Sequence, residues 1–438
     1  MGAGLAGLRA AWELARAGCE VVVLERRSAA GGRAGSAPDK ETGEPVDTGQ
    51  HAFMGCYRAA RRWFKALGTA ELLEFQGRLR VPYILPGDGR REFRAAPLPA
   101  PFHLLGGAMT MPGLRLGDRM GLLRLASALA FNPKPELDRL TVARWEDARG
   151  IPGAVRDYLI DPLAVAALNE EPGTVSALPF LAVLRTLARS GNAGSRIGFA
   201  TAGLADLYVP ASVRAIEAAG GSLRTGAWAA KLIVREGRAA GVELADGEAV
   251  GAGAVVAAVP PWDLPALLRD TGSLEPLASA AAAFHPSPIV TVHLWWDRPV
   301  HPGPFSGLPG GSFHWAFNRT AILGGGPPGR EHVCLVRSGA RGLIGKKPDE
   351  LAALAADDLR ARLPAARDAR VVFARTVWET KATVSLAPGT AARRPGPATP
   401  LPGFVLAGDW TATGLPATIE GAVVSGASAA RAVLSSFA

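Results

Sequence analysis

A chain of 438 residues is long enough for two or three domains, each with its own core. Its 48 Lys and Arg outnumber 39 Asp and Glu and leave a formal charge of +9, which favours an anionic surface, yet the basic residues are scattered and form no aromatic–basic module for nucleic acid. Three widely spaced cysteines, Cys19, Cys56 and Cys334, make no metal-ligand pattern, and no uninterrupted apolar run reaches about eighteen residues, so the composition excludes nucleic-acid binding, a metal centre and a spanning helix.

The chain opens on Gly2, Gly4 and Gly7 in GAGLAG, followed by a helical pattern and then an apolar strand at 19–24 that ends at Glu25. Together these make most of a dinucleotide-binding βαβ unit: Gly2 for the tight turn, Gly4 for close backbone approach to a pyrophosphate, Gly7 for helix-on-strand packing, Glu25 for ribose hydroxyls. Only Met1 precedes Gly2, whereas a buried strand normally presents such a loop. The expectation is therefore a start upstream of Met1, with about six to ten further residues forming that strand. Gly31, Gly32 and Arg33 follow, a second glycine pair where backbone can approach phosphate and an arginine can neutralise it. A loop then compresses Asp47, Gly49, Gln50 and His51 between two apolar segments, His51 reading either as a capping or core histidine or as a functional one.

A helix carries Tyr57, Trp63, Phe64 and Leu67, a hairpin occupies 81–94, and the apolar, proline-interrupted 97–112 reads as an interfacial element. Helical spacing recurs at 118–131, 141–149, 154–167 and 175–188, with the adjacent acids Glu170 and Glu171 in the turn before the last of these. From Gly203 the α/β character resumes: a helix at 208–219, strands near 227–234 and 239–244, and a buried strand at 252–259. Strand-like aromatic segments at 287–297 and 314–317, with 334–337, 371–379 and a helix at 349–363, predict a mixed sheet, its aromatics either core or the wall of a substrate cavity. After a proline-rich linker at 391–402, a strand at 404–407 ends at Gly408 and Asp409, and a helix at 418–434 aims its N-terminus inward, repeating the anion-binding logic of the opening.

The glycine loop with Glu25, the Gly31-Gly32-Arg33 run and the closing LAGDWTATGLPATIEGAVVSG together resemble the FAD-dependent amine oxidase and carotenoid desaturase superfamily. Within it, GQHAFMGCY at 49–57, LPAPFHLL at 98–105 and AALNEEPGTVSA at 166–177 resemble the squalene-associated branch, the bacterial hydroxysqualene dehydroxylases of hopanoid biosynthesis. The likeness covers essentially the whole chain. It implies a bilobed α/β fold: a discontinuous Rossmann-like FAD-binding domain at 1–80, 203–275 and 396–438, and an α+β substrate domain made of a helical insertion at 81–202 and a mixed sheet at 276–395.

Carried residue by residue, the resemblance puts Gly2, Gly4 and Gly7 on the pyrophosphate, Glu25 on the adenosine ribose, and Gly31, Gly32 and Arg33 on the phosphate and ribityl region. Gly408 and Asp409 face the ribityl or pyrophosphate oxygens, with Thr418 and Ile419 at the flavin O2 carbonyl. His51, with Gln50 beside it, would handle the proton near the flavin ring, and Glu170 is the alternative acid. No histidine or cysteine follows Phe404, so FAD is expected to be non-covalent. The implied reaction removes an allylic hydroxyl from a lipophilic polyisoprenoid; the alternatives are an oxidative desaturase or amine oxidase, and a flavin-binding scaffold without turnover. The three scattered cysteines fit a reducing cytoplasm, and such a substrate implies peripheral contact with a membrane, through 97–116 and Arg115, Arg119 and Arg124, with enzymes of squalene synthesis as partners.

Overall fold

The computed structural model describes residues 1–327 and 329–437. Its first lobe is built on the opening helix Leu5–Arg16, whose alanines and leucines bury one face against the closing helix Ile419–Ser435. The two approach so closely that a Cβ on Gly426 would stand 2.3 Å from the carbonyl oxygen of Ala6. Beneath them lie two parallel strand pairs, Val22–Glu25 with Ser222–Thr225 and Val255–Ala257 with Phe404–Leu406. Met1 and Gly2 run between the pairs: the Gly2 N–H donates to the Leu24 carbonyl at 2.7 Å, and the Ala258 N–H donates to the Met1 carbonyl at 2.9 Å. An antiparallel ribbon, Ala229–Arg235, Arg238–Leu244 and Ala249–Gly251, flanks this lobe.

The second lobe is a seven-stranded mixed sheet. From edge to edge it runs Val371–Val384, Pro286–Trp296, Glu331–Ser338, Trp315–Asn318, Phe305–Gly307, Arg80–Ile84 and Arg90–Arg94, and its one parallel contact joins Gly307 to Tyr83. Alternation along the strands decides what each face meets. Val290, Val292, Leu294 and Trp296 pack with Val333 and Leu335 under the helix Pro348–Arg360, whereas Cys334 and Val336 turn the other way, onto Phe199, Phe305 and Phe317. Helices Phe102–Met109, Leu116–Leu129, Asp161–Leu168 and Ala177–Arg189 cover that second face and enclose a cavity against it. The chain has the expected bilobed α/β fold.

Two differences from the expected elements have plain causes. The 154–167 helix is broken by a π-helical turn at Arg156–Ile160, because Pro162 has no N–H to offer back along the helix; the freed Tyr158 carbonyl instead accepts from the Tyr83 hydroxyl at 2.6 Å. The strand Ser222–Thr225 was not expected at all. It is four residues long, follows two glycines and carries only one apolar side chain, so neither length nor pattern announces it.

Candidate functional site

The glycine loop is held by contacts that only glycine allows. Gly2 has a φ of +87°, and a Cβ there would meet the Ala258 oxygen at 2.5 Å; a Cβ on Gly7 would lie 1.8 Å from the Gly2 oxygen. Gly4 is different: its added Cβ would meet only the Cα of Gly32, 3.9 Å away, so it borders open space between the two glycine segments. Those segments are tied together by the Gly31 N–H donating to the Ala3 carbonyl at 2.8 Å. Among the described residues no side chain caps the helix start at Gly4, which leaves its first-turn N–H groups facing that space. Glu25 is buried at its edge, accepting from the Ala3 N–H at 2.8 Å and the Arg27 N–H at 2.9 Å. A narrow gap between glycine backbones, an uncapped helix start and a fixed carboxylate fit a dinucleotide.

The closing segment completes the cradle. Arg33 grips Asp409 with both arms, Nη2 to Oδ1 at 2.7 Å and Nη1 to Oδ2 at 3.1 Å, and Nη1 also donates to the Ala382 carbonyl. Asp409 is thus the anchor of Arg33 as well as a neighbour of the cradle. Arg394, in what reads from composition as a linker, donates to the carbonyls of Asp409, Trp410 and Leu415 and so pins the loop after Gly408; burial lowers its pKa and Asp409 opposes that shift. The Gly408 N–H donates to Ser425 Oγ on the closing helix at 2.9 Å. Thr418 caps that helix, its side chain accepting from the Gly421 N–H, and Ile419 is buried in the first turn. Glu420 beside it accepts from the N–H groups of Ala59 and Ala60, joining the closing helix to the start of the helix Arg58–Leu67.

Where this cradle ends, the cavity begins. It has a volume of about 890 Å³ and is walled chiefly by aliphatic side chains of the helical layer and by Tyr83, Phe199, Phe305, Trp315 and Phe317 of the sheet side. Gln50, Tyr57, Thr418 and Glu420 contribute polar groups at the end that abuts the cradle. Gln50 Oε1 accepts from Arg319 at 2.8 Å. His51 Nδ1 lies 2.6 Å from the Gly49 carbonyl, which makes Nδ1 the donor and leaves Nε2 as the free nitrogen. Burial lowers the His51 pKa from its ordinary value; the Gly49 carbonyl and Asp47 oppose that shift and Arg33 adds to it. The cavity wall here is formed by its neighbours Gln50 and Ala52.

Glu170 is placed elsewhere than a proton donor requires. Its side chain is fully buried and both carboxylate oxygens are held by Arg341, at 2.6 and 2.7 Å. Asn169, in the left-handed region at a φ of 53°, bonds Ser287, Thr383 and Gly339, and Glu171 pairs with Arg337. The segment splices the helical layer to the sheet, which is a correction to the expected second acid. Arg319 and Arg394 were not singled out from the sequence: one follows an aromatic strand and the other sits among prolines, and neither context marks an arginine as special. Among the described residues, no cluster of three or more His, Cys, Asp or Glu could hold a metal, and no helix is long and apolar enough to cross a membrane.

The profile of flavin-containing amine oxidoreductases matches residues 5–434. Hydroxysqualene dehydroxylase of Rhodopseudomonas palustris is 32% identical, covering 99% of this chain and 97% of that protein. 15-cis-phytoene desaturase of Synechococcus elongatus is 26% identical over 99% of this chain and 94% of its own. In three dimensions the chain is similar to an oxidoreductase from Methanosarcina mazei, with a TM-score of 0.72, 19% identity and coverage of 99% and 98%.

Proposed function

The chain belongs to the flavin-containing amine oxidoreductase family and is an FAD-dependent oxidoreductase, and we propose that it removes the allylic hydroxyl of a polyisoprenoid alcohol, hydroxysqualene, to give squalene. The observation that carries this reading is the large, chiefly apolar cavity with Gln50, Tyr57, Thr418 and Glu420 at the end that abuts the cofactor cradle. A long hydrocarbon bearing one oxygen matches that distribution. When bound in its reduced form, FAD supplies the hydride, and an external electron donor restores it.

The hydroxyl-bearing carbon is secondary: the C–O bond breaks, oxygen leaves as water after gaining a proton, and the carbon ends as CH₂. Gln50 donates toward the leaving oxygen, and His51, when its Nε2 is also protonated, is the proton source, a form that burial makes scarcer and a fall in pH restores. The rings of Phe199, Phe305 and Phe317 line the cavity where their π faces can stabilise allylic positive charge. Glu25, Gly4, Gly32 and the first turn at Ile419 would hold the cofactor, with Arg33 and Asp409 fixing its surroundings. Support for a hopanoid setting comes from the motif resemblance.

Peripheral membrane contact is part of the proposal. Phe102 is 56% exposed and also part of the cavity wall, which marks the mouth. Leu116, Met120, Leu123 and Phe131 are exposed on or just beyond the next helix, near Arg115, Arg119 and Arg124. An apolar rim with basic residues suits an anionic lipid surface, from which a polyisoprenoid would enter without crossing water. Enzymes that make the alcohol on that surface are the expected partners.

Anaerobic incubation of the reduced holoprotein with hydroxysqualene tests the activity: squalene should form in proportion to flavin oxidised. The phytoene desaturase relative favours one other reading, oxidative desaturation of a polyene. Desaturated product from phytoene, with no squalene from hydroxysqualene, would replace the proposal with that one.

A further inference from the structure

We infer that Arg319 is a positioning residue that fixes the Gln50 carboxamide with its NH₂ toward the cavity, making the site select a ligand that carries an oxygen over the matching hydrocarbon. The inference rests on the polyisoprenoid reading above and names what that site discriminates. Arg319 follows the strand Trp315–Asn318 at the start of a short helix, and its side chain is fully buried. Asn318 holds this corner rigid, accepting from the Ala321 N–H at 2.9 Å and donating to Glu331 at 2.7 Å.

The guanidinium reaches from the sheet into the loop of the first lobe. Nη2 lies 3.2 Å from Asp47 Oδ2, while Asp47 Oδ1 is already held by the Ser36 hydroxyl at 2.6 Å and the Leu204 N–H at 3.0 Å. Among the described residues neither Nε nor Nη2 meets a well-aligned acceptor. A buried cation so sparsely bonded is costly to keep for stability alone. Among the described residues its one well-formed bond is Nη1 to Gln50 Oε1, 2.8 Å.

That bond settles which way the amide points. An arginine has donors only, so the atom facing it must be the oxygen. The NH₂ is therefore turned away from Arg319, and its sole acceptor among the described residues is the His51 carbonyl at a long 3.4 Å. At least one N–H of a cavity-lining residue is left for whatever enters. A hydroxyl oxygen satisfies it, whereas a hydrocarbon strips its water and leaves it bare, which favours the alcohol by about tenfold or more.

The test is equilibrium binding to the oxidised FAD-loaded full chain, without reductant, read from the flavin absorbance change with hydroxysqualene and with squalene in detergent micelles. The unaltered protein should bind the alcohol about tenfold or more tightly than the hydrocarbon. Gln50→Glu keeps a partner for Arg319 but replaces the N–H with an oxygen that only accepts; the O-methyl ether of hydroxysqualene, which has no O–H to give that oxygen, should bind the unaltered chain more tightly than squalene and the variant no more tightly than squalene. Arg319→Met frees the amide to rotate and should lower the ether-to-squalene ratio as well, while Arg319→Lys keeps a donor for Oε1 and should retain most of it. Equal binding of hydroxysqualene and squalene by the unaltered chain, or an ether-to-squalene ratio unchanged in Gln50→Glu, overturns the inference. A purely supporting role for Arg319 would lower flavin content and move both ligands together, which also overturns it; should Arg319→Met fail to fold, Gln50→Glu decides alone. Discrimination without squalene formation would retire the dehydroxylase reading but not this one, and turnover without discrimination the reverse.

Discussion

The guanidinium of Arg33 and the carboxylate of Asp409 form a two-point pair, 376 residues apart in the chain, that ties the second glycine segment to the closing strand. Arg33 is 29% exposed and Asp409 9%, so solvent screens the pair only in part. Asp409→Ala leaves the arginine uncompensated and should destabilise the apo chain by about 3 kcal/mol. It should also weaken FAD binding, because the two cradle segments lose their tie. Chemical denaturation and flavin titration measure the two effects; an unchanged apo stability would show that the pair contributes nothing beyond its geometry.

Gly4 and Gly7 should fail in different ways. An alanine at Gly7 drives its methyl into the Gly2 oxygen, so the apo protein itself should lose about 1–3 kcal/mol or more. At Gly4 the methyl meets no protein atom closer than 3.9 Å and the φ of −84° suits alanine. Gly4→Ala should therefore change apo stability by less than about 1 kcal/mol while cutting FAD affinity about tenfold or more, since the methyl fills the gap the pyrophosphate needs. Equal flavin affinity in Gly4→Ala and the unaltered chain would mean that the gap is not the phosphate site.

How much of this was legible in the sequence follows from how local the cause is. Gly2, Gly4, Gly7 and Glu25 could be read directly because a tight turn, a close approach and a strand-end carboxylate each demand one residue type at one spacing. The sheet strands 286–296 and 331–338 were legible through composition, and their two faces through alternation. What could not be read was decided across the chain. Glu170 reads as a free acid until Arg341, far along the sequence, occupies both its oxygens. Arg394 gains its role only when three carbonyls of a distant loop converge on it, and Arg319 only when Asp47 and Gln50 fold against it.

Acid should destabilise this fold through its buried histidines. His301 is the measurable case: burial pushes its pKa down to about 4, against the ordinary 6.5, although the Gly303 carbonyl opposes the shift. Between those values the unfolded chain holds a proton that the folded chain does not. Its contribution is therefore fully present above pH ~6.5 and lost as pH falls toward 4, a change of about 3 kcal/mol. His293 and His332, lowered in the same direction by burial, steepen the decline. Denaturation midpoints from pH 7 to 4 should fall, and His301→Gln should flatten the curve. A His301→Gln curve parallel to that of the unaltered protein would assign the acid sensitivity elsewhere.

Membrane binding should depend on both halves of the rim. Phe102→Ser with Phe131→Ser removes two exposed rings at the mouth and should reduce sedimentation with anionic liposomes at every salt concentration. Arg115→Gln with Arg119→Gln should reduce it at low salt only, because surface charges are screened at high ionic strength. Binding that neither pair of substitutions alters would place the lipid contact on another face.

The last expectation concerns His51. A proton source must carry its proton when the substrate arrives, and burial lowers the pKa of this imidazole, so the loaded form is the minor one near pH 7. Turnover should therefore rise as pH falls from 8 toward 6, opposite in sign to the stability trend, until acid unfolding intervenes. His51→Ala should keep its FAD, since the ring bonds only the Gly49 carbonyl among the described residues, and lose turnover by roughly a hundredfold or more. The rise toward acid should vanish in the same variant, because the remaining rate draws its proton from water. Were the variant to turn over near-normally with the pH profile intact, the imidazole would be serving only to brace the turn at Gly49, and the proton would come from another group at the site, where Tyr57 and Thr418 line the cavity.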